Sequence, residues 1–171
     1  NDVVEYVALG YAHLAAIDLT EGQQDEAFRN ANFAYTTSLN RSNDSIQALC
    51  AIQLGKVYQE KSDILMAYKV FTNAHNIAIN SGNEWLLPPV FHAIAELYKK
   101  FGKDYEAKKY IHQSYAINKR LNNIHGQVND LIFLAKLSNY IAGKSYLQDA
   151  IRLSDQINSL PLKLEAEKIL F

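Results

Sequence analysis

The 171 residues carry 17 Lys and Arg against 18 Asp and Glu, a net charge of -1, so the chain has no general attraction for nucleic acid or an anionic membrane surface. With 49% hydrophobic residues, 3 Pro and 7 Gly, it is neither disordered nor supplied with the turn residues of a sheet fold, and its length suits one domain with a sizeable core. The lone Cys50 excludes an internal disulfide and a cysteine-based zinc site.

No uninterrupted apolar run reaches the roughly 18 residues that a membrane-spanning helix needs, and no signal-peptide pattern follows Asn1-Asp2. The apolar end Ile169-Leu170-Phe171, together with the start on Asn rather than Met, suggests a segment of a longer protein.

In chain order the sequence reads as four helix pairs and one further helix, over residues 3–41, 45–81, 84–121, 124–158 and 161–171. The turns inside the first three pairs are "EGQQD", "KSD" and "GKD", each able to end one helix and cap the next; "RSND", "SGNE" and "LNNIHG" separate the pairs. Pro88-Pro89 fall where the third pair should already be helical. Either that helix starts late, with Pro88 in its first turn, or it is kinked there. In the fourth pair, "YIAGKSYLQDA" aligns with Leu147 in the small-residue slot or, after a three-residue insertion, with Ala150 there; the insertion is favoured. The tail is either the first helix of a truncated fifth pair or a cap, with Pro161 near its first turn.

A period of 40 links these pairs. Ala27, Ala67 and Ala107 are 40 apart; Phe71 aligns with Ala31, Ile111 and Ile151, and Ala74 with Ala34, Ser114 and Ser154. In the preceding helices Gly55 aligns with Ala15, Ala95 and Ala135, Leu54 with Leu14, Ile94 and Leu134, and Tyr58 with Tyr98, where the first and fourth pairs carry Asp18 and Ser138. Apolar residues fall at three-and-four spacing in each helix, and small residues recur where two helices must approach.

The pattern Leu54-Gly55-x-x-Tyr58 followed by Ala67-x-x-x-Phe71 and Ala74 resembles the tetratricopeptide repeat. The resemblance covers nearly the whole chain, with a unit of 40 rather than the common 34 residues, as in repeat arrays of bacterial signalling proteins. It implies an all-α fold, a right-handed α-α superhelix of about four helix pairs plus a C-terminal helix, whose concave wall is formed by the first helix of each pair.

On that wall the candidate partner-binding residues are Gln53, Lys56, Gln59, His92, Glu96, Lys99, Asn129, Phe133, Lys136 and Tyr140, with Leu9, Ala12, His13, Ala16, Leu49, Ile52, Glu60, Lys100 and Ile132 alongside them. Chaperone-adaptor members of the family hold a peptide carboxylate with Lys and Asn at positions that here carry Ala12, Ile52 and His92, so that clamp is absent. Leu9, Ile52, Phe133 and Tyr140 read equally well as helix packing. An apolar end around Ile169 to Phe171 would pair two copies.

Chemical motifs are few. No two of the five His lie three or four residues apart, so no helical metal pair forms. "GKS" at 143–145 lacks the earlier Gly and strand of a phosphate-binding loop and reads as a helix stop and restart. Asn40-Arg-Ser42 and Asn43-Asp-Ser45 match the glycosylation sequon but fall in a turn that favours these residues. Asp104 and Glu106 interrupt the lysines of the third pair, Lys99, Lys100, Lys103, Lys108 and Lys109, so a solvated face is expected there.

The sequence therefore points to a module without catalytic residues, metal or cofactor, which binds a protein or peptide but not nucleic acid and does not insert in a membrane. Its expected role is the sensory or regulatory region of a larger bacterial signalling protein carrying a histidine kinase, diguanylate cyclase or transcription regulator. The alternative is a structural module that positions an attached domain, as a homodimer. A cytoplasmic location is expected, with an extracytoplasmic sensor region as the alternative.

Overall fold

A computed structural model describes residues 2–41 and 43–170, except the side chains of Asn40 and Arg41; the sequon through Ser42 lies outside the described residues. Among them the structure is helical throughout, without a strand: α1 Asp2–Thr20, α2 Gln24–Arg41, α3 Asp44–Glu60, α4 Ile64–Asn80, a 3-10 turn Glu84–Leu86, α5 Leu87–Lys100, α6 Asp104–Arg120, α7 Ile124–Lys136, α8 Tyr140–Gln156 and α9 Leu160–Leu170. They form two compact units, residues 1–97 and 98–171. In the first, α1 packs on α2, α2 on α3, α3 on α4 and α1 beside α3; in the second, α6 packs on α7, α7 on α8 and α8 on α9.

The 40-residue period is visible in the backbone. Gly22, Ser62 and Gly102 all adopt positive φ, at 76°, 60° and 69°, and so do Gly82 and Asn122, at 66° and 52°. At the first three, the left-handed residue donates its N–H to a carbonyl three residues back and its successor donates five back: Gly22 to Leu19 and Gln23 to Asp18, Ser62 to Gln59 and Asp63 to Tyr58, Gly102 to Lys99 and Lys103 to Tyr98. This double closure satisfies the carbonyls that a helix end leaves open. Side chains start four of the helices, α3, α4, α7 and α8: Asn43, Asp63, Asn123 and Asn139 each accept an N–H three residues on. The α6 cap is different, because Lys103 occupies it and makes no side-chain bond.

Pro88 and Pro89 are the second and third residues of α5. The helix starts late rather than kinking. Asn83 caps the 3-10 turn that stands in for the missing first turn, and a proline in a first turn gives up no helical hydrogen bond. Pro161 is likewise the second residue of α9.

Small residues occupy one slot in every second helix. Ala27, Ala67 and Ala107 are 0% exposed, and their N–H groups donate to Gln23, Asp63 and Lys103 at 2.9, 2.9 and 3.0 Å. In the fourth pair this slot is held by Gly143, neither Leu147 nor Ala150. Gly143 is buried, its N–H donates to Asn139 at 2.8 Å, and a Cβ there would lie 3.2 Å from the Ala135 carbonyl oxygen. The buried set Gly143, Leu147, Ala150 and Ser154 therefore repeats Ala67, Phe71, Ala74 and Ala78, so the earlier alignment of Phe71 with Ile151 and Ala74 with Ser154 is replaced by Leu147 and Ala150. The cause is a deletion, not an insertion. α7 ends at Lys136, four residues short of α5 in the 40-residue register; this is about one turn, and it leaves both helix faces in place. "GKS" is accordingly no break but the first turns of α8, and the stop lies at Leu137 to Asn139.

The shared positions are filled in complementary ways. Asn30 donates to Asp18 at 2.7 Å at the register position where Tyr98 stacks on Tyr110, with ring centroids 5.6 Å apart. Between α6 and α7, Asn118 donates to Asp130 at 2.7 Å and to Ser114 at 3.3 Å, and accepts from Asn123 at 2.8 Å. Asp130 is 0% and Asn118 1% exposed, so this buried carboxylate is held by hydrogen bonds rather than water. A Cβ on Gly126 would collide with the Asn118 amide.

By length and composition α1 is the one helix among the described residues long and apolar enough to cross a membrane, although it carries Glu5 and Asp18. In the fold it buries Ala8, Ala12 and Ala15, all 0% exposed, and Ala8 and Ala12 share a cluster with Ala34 and Cys50.

Two predictions follow from this packing. Gly55 faces the Phe71 ring, and a Cβ there would overlap its edge; at the register position of Phe71 the first pair has Ala31 and the third Ile111. Gly55→Ala is expected to cost about 1–3 kcal/mol through overpacking, and Phe71→Ile, which puts the third pair's residue at this register position, to recover more than half of it. Urea unfolding of the two single variants and the double variant gives the coupling. Burial pushes the Cys50 thiol up to about 11, against a hydrogen bond with Ser38 that lowers it. The folded state thus keeps a proton that the unfolded state releases, and stability is expected to fall as pH rises from about 9.0 toward about 11. In native protein at pH 8, a thiol reagent should modify Cys50 only after urea is added.

Candidate partner-binding surface

The first helices carry two kinds of position. One set is constant in kind because it faces neighbouring helices: Ala15, Gly55, Ala95 and Ala135 are all buried. The other points away from the packed core and varies from pair to pair. At one such position stand Ala16, Lys56, Glu96 and Lys136, and at another His13, Gln53 and Phe133, where the third pair instead has Ala93, 1% exposed and part of the core.

In the first unit, Gln53 and Lys56 on α3 and His92 and Glu96 on α5 are half-buried. Leu9 and Ala16 on α1 and Leu49 on α3 are half-buried apolar residues in the same register, and His13 is exposed. Ala12 and Ile52 belong instead to the core, at 0% and 5% exposure, and Gln59 is buried at 8%. Gln59 therefore sits too deep for the rim where the sequence had placed it. Pro89 occupies the position of Leu49 and Asn129 and is exposed; the sequence reading treated it only as a helix problem.

In the second unit the Lys99 Nζ lies 5.3 Å from the centroid of the Phe133 ring, a cation–π geometry. Lys136 pairs with Glu165 of α9 at 3.1 Å, both side chains being well exposed. Asn129 lies 3.3 Å from His125 Nδ1. Tyr140 is 76% exposed, but it is the first residue of α8, not part of a first helix; the four-residue deletion in α7 moved it. Ile132, at 3% exposure, is core. Glu165 was not foreseen because it lies 29 residues from its partner, beyond any periodic signal.

The apolar end expected to pair two copies is partly occupied. Leu170 packs against the cluster of Leu131, Leu147 and Leu162, Ile169 is 38% exposed, and Phe171 lies outside the described residues. Among the described residues no group of three or more His, Cys, Asp or Glu could hold a metal ion.

Because both members of the Lys136–Glu165 pair are exposed, Lys136→Ala is expected to change stability by less than about 1 kcal/mol. Urea midpoints of the two proteins test this, and an unchanged midpoint makes Lys136 a clean probe of binding.

No family model and no curated protein matches the sequence. Solved structures do. The Signal Transduction ATPase with Numerous Domains protein with a tetratricopeptide repeat sensor, from Pyrococcus horikoshii, superposes with a TM-score of 0.80 at 14% identity, over 95% of this chain and 25% of that one. BtubC from P. vanneervenii gives 0.75 at 14% identity, over 98% and 78% of the two chains. A kinesin light chain with nearly identical TPR-like repeats, from Podosopora anserina, gives 0.69 at 18% identity, over 98% and 84%. This chain thus spans a quarter of the length of the first of these. Taken with the recurring slots and turns, these likenesses establish an all-α fold of the tetratricopeptide-repeat type.

Proposed function

We propose that the chain is a non-catalytic module that binds a protein or peptide on the outward positions of its first helices. The observation that carries this reading is the contrast between the two kinds of position. The buried first-helix position Ala15, Gly55, Ala95 and Ala135 stays small every 40 residues, whereas Ala16, Lys56, Glu96 and Lys136 at one outward position differ in size and charge. Packing alone has no need of that variation. A surface that must fit one partner at several points does, with apolar anchors such as Leu9 and Leu49 beside a charged rim.

The wider role we infer is the sensory or regulatory region of a larger bacterial signalling protein with a kinase, cyclase or transcription-regulator effector, located in the cytoplasm. A neighbour whose repeats are described as a sensor within a signal-transduction ATPase supports that role by analogy of fold. Small changes at each inter-helix contact add along such an array, so that binding on the wall can be passed to an attached domain.

Charge reversal tests the surface. Lys56→Glu with Glu96→Lys, and separately Lys136→Glu, are expected to lower affinity for the natural partner at least about tenfold, while urea midpoints stay near that of the parent. Retention of the same partners at the same affinity in both variants, measured by pull-down and then by titration calorimetry, would overturn the reading.

A further inference from the structure

The outer face of α1 differs from the same face of every first helix that follows. Leu14 is 46% exposed, whereas Leu54, Ile94 and Leu134 at its position are at most 4% exposed. Ile17 is 51% exposed against at most 8% for Val57, Leu97 and Leu137, and Tyr11 is 37% exposed against at most 7% for Ala51, Phe91 and Leu131. Gly10 is exposed, with open space where a Cβ would point; Cys50, Val90 and Asp130 in its slot are all 0% exposed.

In each later first helix, one position of that face is met by the second helix of the preceding pair, and Cys50 is also met by Ala8 of α1. Cys50 meets Ser38 of α2, Phe91 meets His75 of α4 with ring centroids 5.6 Å apart, and Asp130 meets Asn118 of α6. Val3 and Tyr6, at 75% and 73% exposure, lengthen the apolar strip on α1, and Phe33 of α2, ring to ring with Tyr11 at 4.5 Å, widens it. A helix that ends a repeat stack normally turns a polar face to water. This one does not, and an exposed apolar patch of this extent marks a contact surface.

We propose that the α1 face is an inter-repeat interface that takes the second helix of a further tetratricopeptide-type helix pair, one outside residues 1–171. That helix carries small residues at the slots of Ala67, Ala74 and Ala78, with an apolar side chain at that of Phe71. A second copy of this chain fits poorly, since α2, α6 and α8 already spend the corresponding face on α3, α7 and α9. The proposal concerns the end face and stands independently of the outward wall discussed above.

The test is an extension built from the chain itself: residues 44–83 duplicated directly ahead of Val4, so that a second Asn83 caps α1. The α4 face in that segment already accepts the Phe91 ring, and Tyr11 holds the same position. Amide exchange of α1 is expected to slow at least about tenfold relative to the 1–171 chain, and Leu14→Glu to abolish that slowing while leaving α1 exchange in the 1–171 chain within about twofold. A parallel extension with residues 4–43 presents the α2 face, fitted to Ala51 rather than a ring, and should protect α1 less. Unchanged α1 exchange in both extensions, or protection that survives Leu14→Glu, would sink the proposal. So would a dimer of the 1–171 chain in light scattering that Leu14→Glu dissociates, or flotation of that chain with phosphatidylcholine vesicles through α1, each of which assigns the face to another occupant.

Discussion

How closely two helix backbones can approach is the constraint on which the rest of this structure depends. At Ala27, Ala67, Ala107 and Gly143 the second helix of each pair carries a side chain of at most one carbon, fully buried. A larger residue would hold the helices apart and remove dispersion contacts along their whole length. The fourth pair shows how strict the constraint is. One turn of α7 is missing, yet the slot is still filled by the smallest residue in reach. The chain has kept the contact and given up the period.

Around that contact the structure trades volume and polarity locally. The large Phe71 ring is matched by Gly55, the one first-helix residue at its position without a Cβ. Where Tyr98 stacks on Tyr110, the first pair places an Asp18–Asn30 hydrogen bond instead. The Asn118–Asp130 contact replaces what is elsewhere Ala78 with Val90, at the cost of recruiting Ser114 and Asn123 to satisfy it. Each interface is solved as a unit, so changes at one should propagate little beyond its neighbours. This independence leaves the outward positions free to vary, and it is the physical ground for reading them as a recognition surface.

Unlike the wall, the α1 face varies in exposure and not in character. Leu14 and Ile17 are the same kind of residue as the buried ones at their positions, and only their covering is missing. Nothing in the composition separates them from Leu54 or Val57. The distinction exists only once each helix is seen against what lies before it.

Much was legible in the sequence because the information was local and repeated. Small and apolar residues at fixed intervals determined the helices, the polar turns between them and the identity of the repeat, while Pro88-Pro89 left a late start and a kink both open until α5 was seen to begin at Leu87. Counting by 40 failed only where one turn had been dropped, since deleting four residues leaves the helical pattern intact and so leaves no local trace. That misplacement carried Tyr140 into the wrong helix and Ala150 into the wrong slot. Burial at Gln59 and Ile52, the pairing of Lys136 with Glu165, and the uncovered state of α1 were decided by tertiary structure alone. Each depends on a partner many residues away, and a helix face reads the same whether or not another helix lies against it.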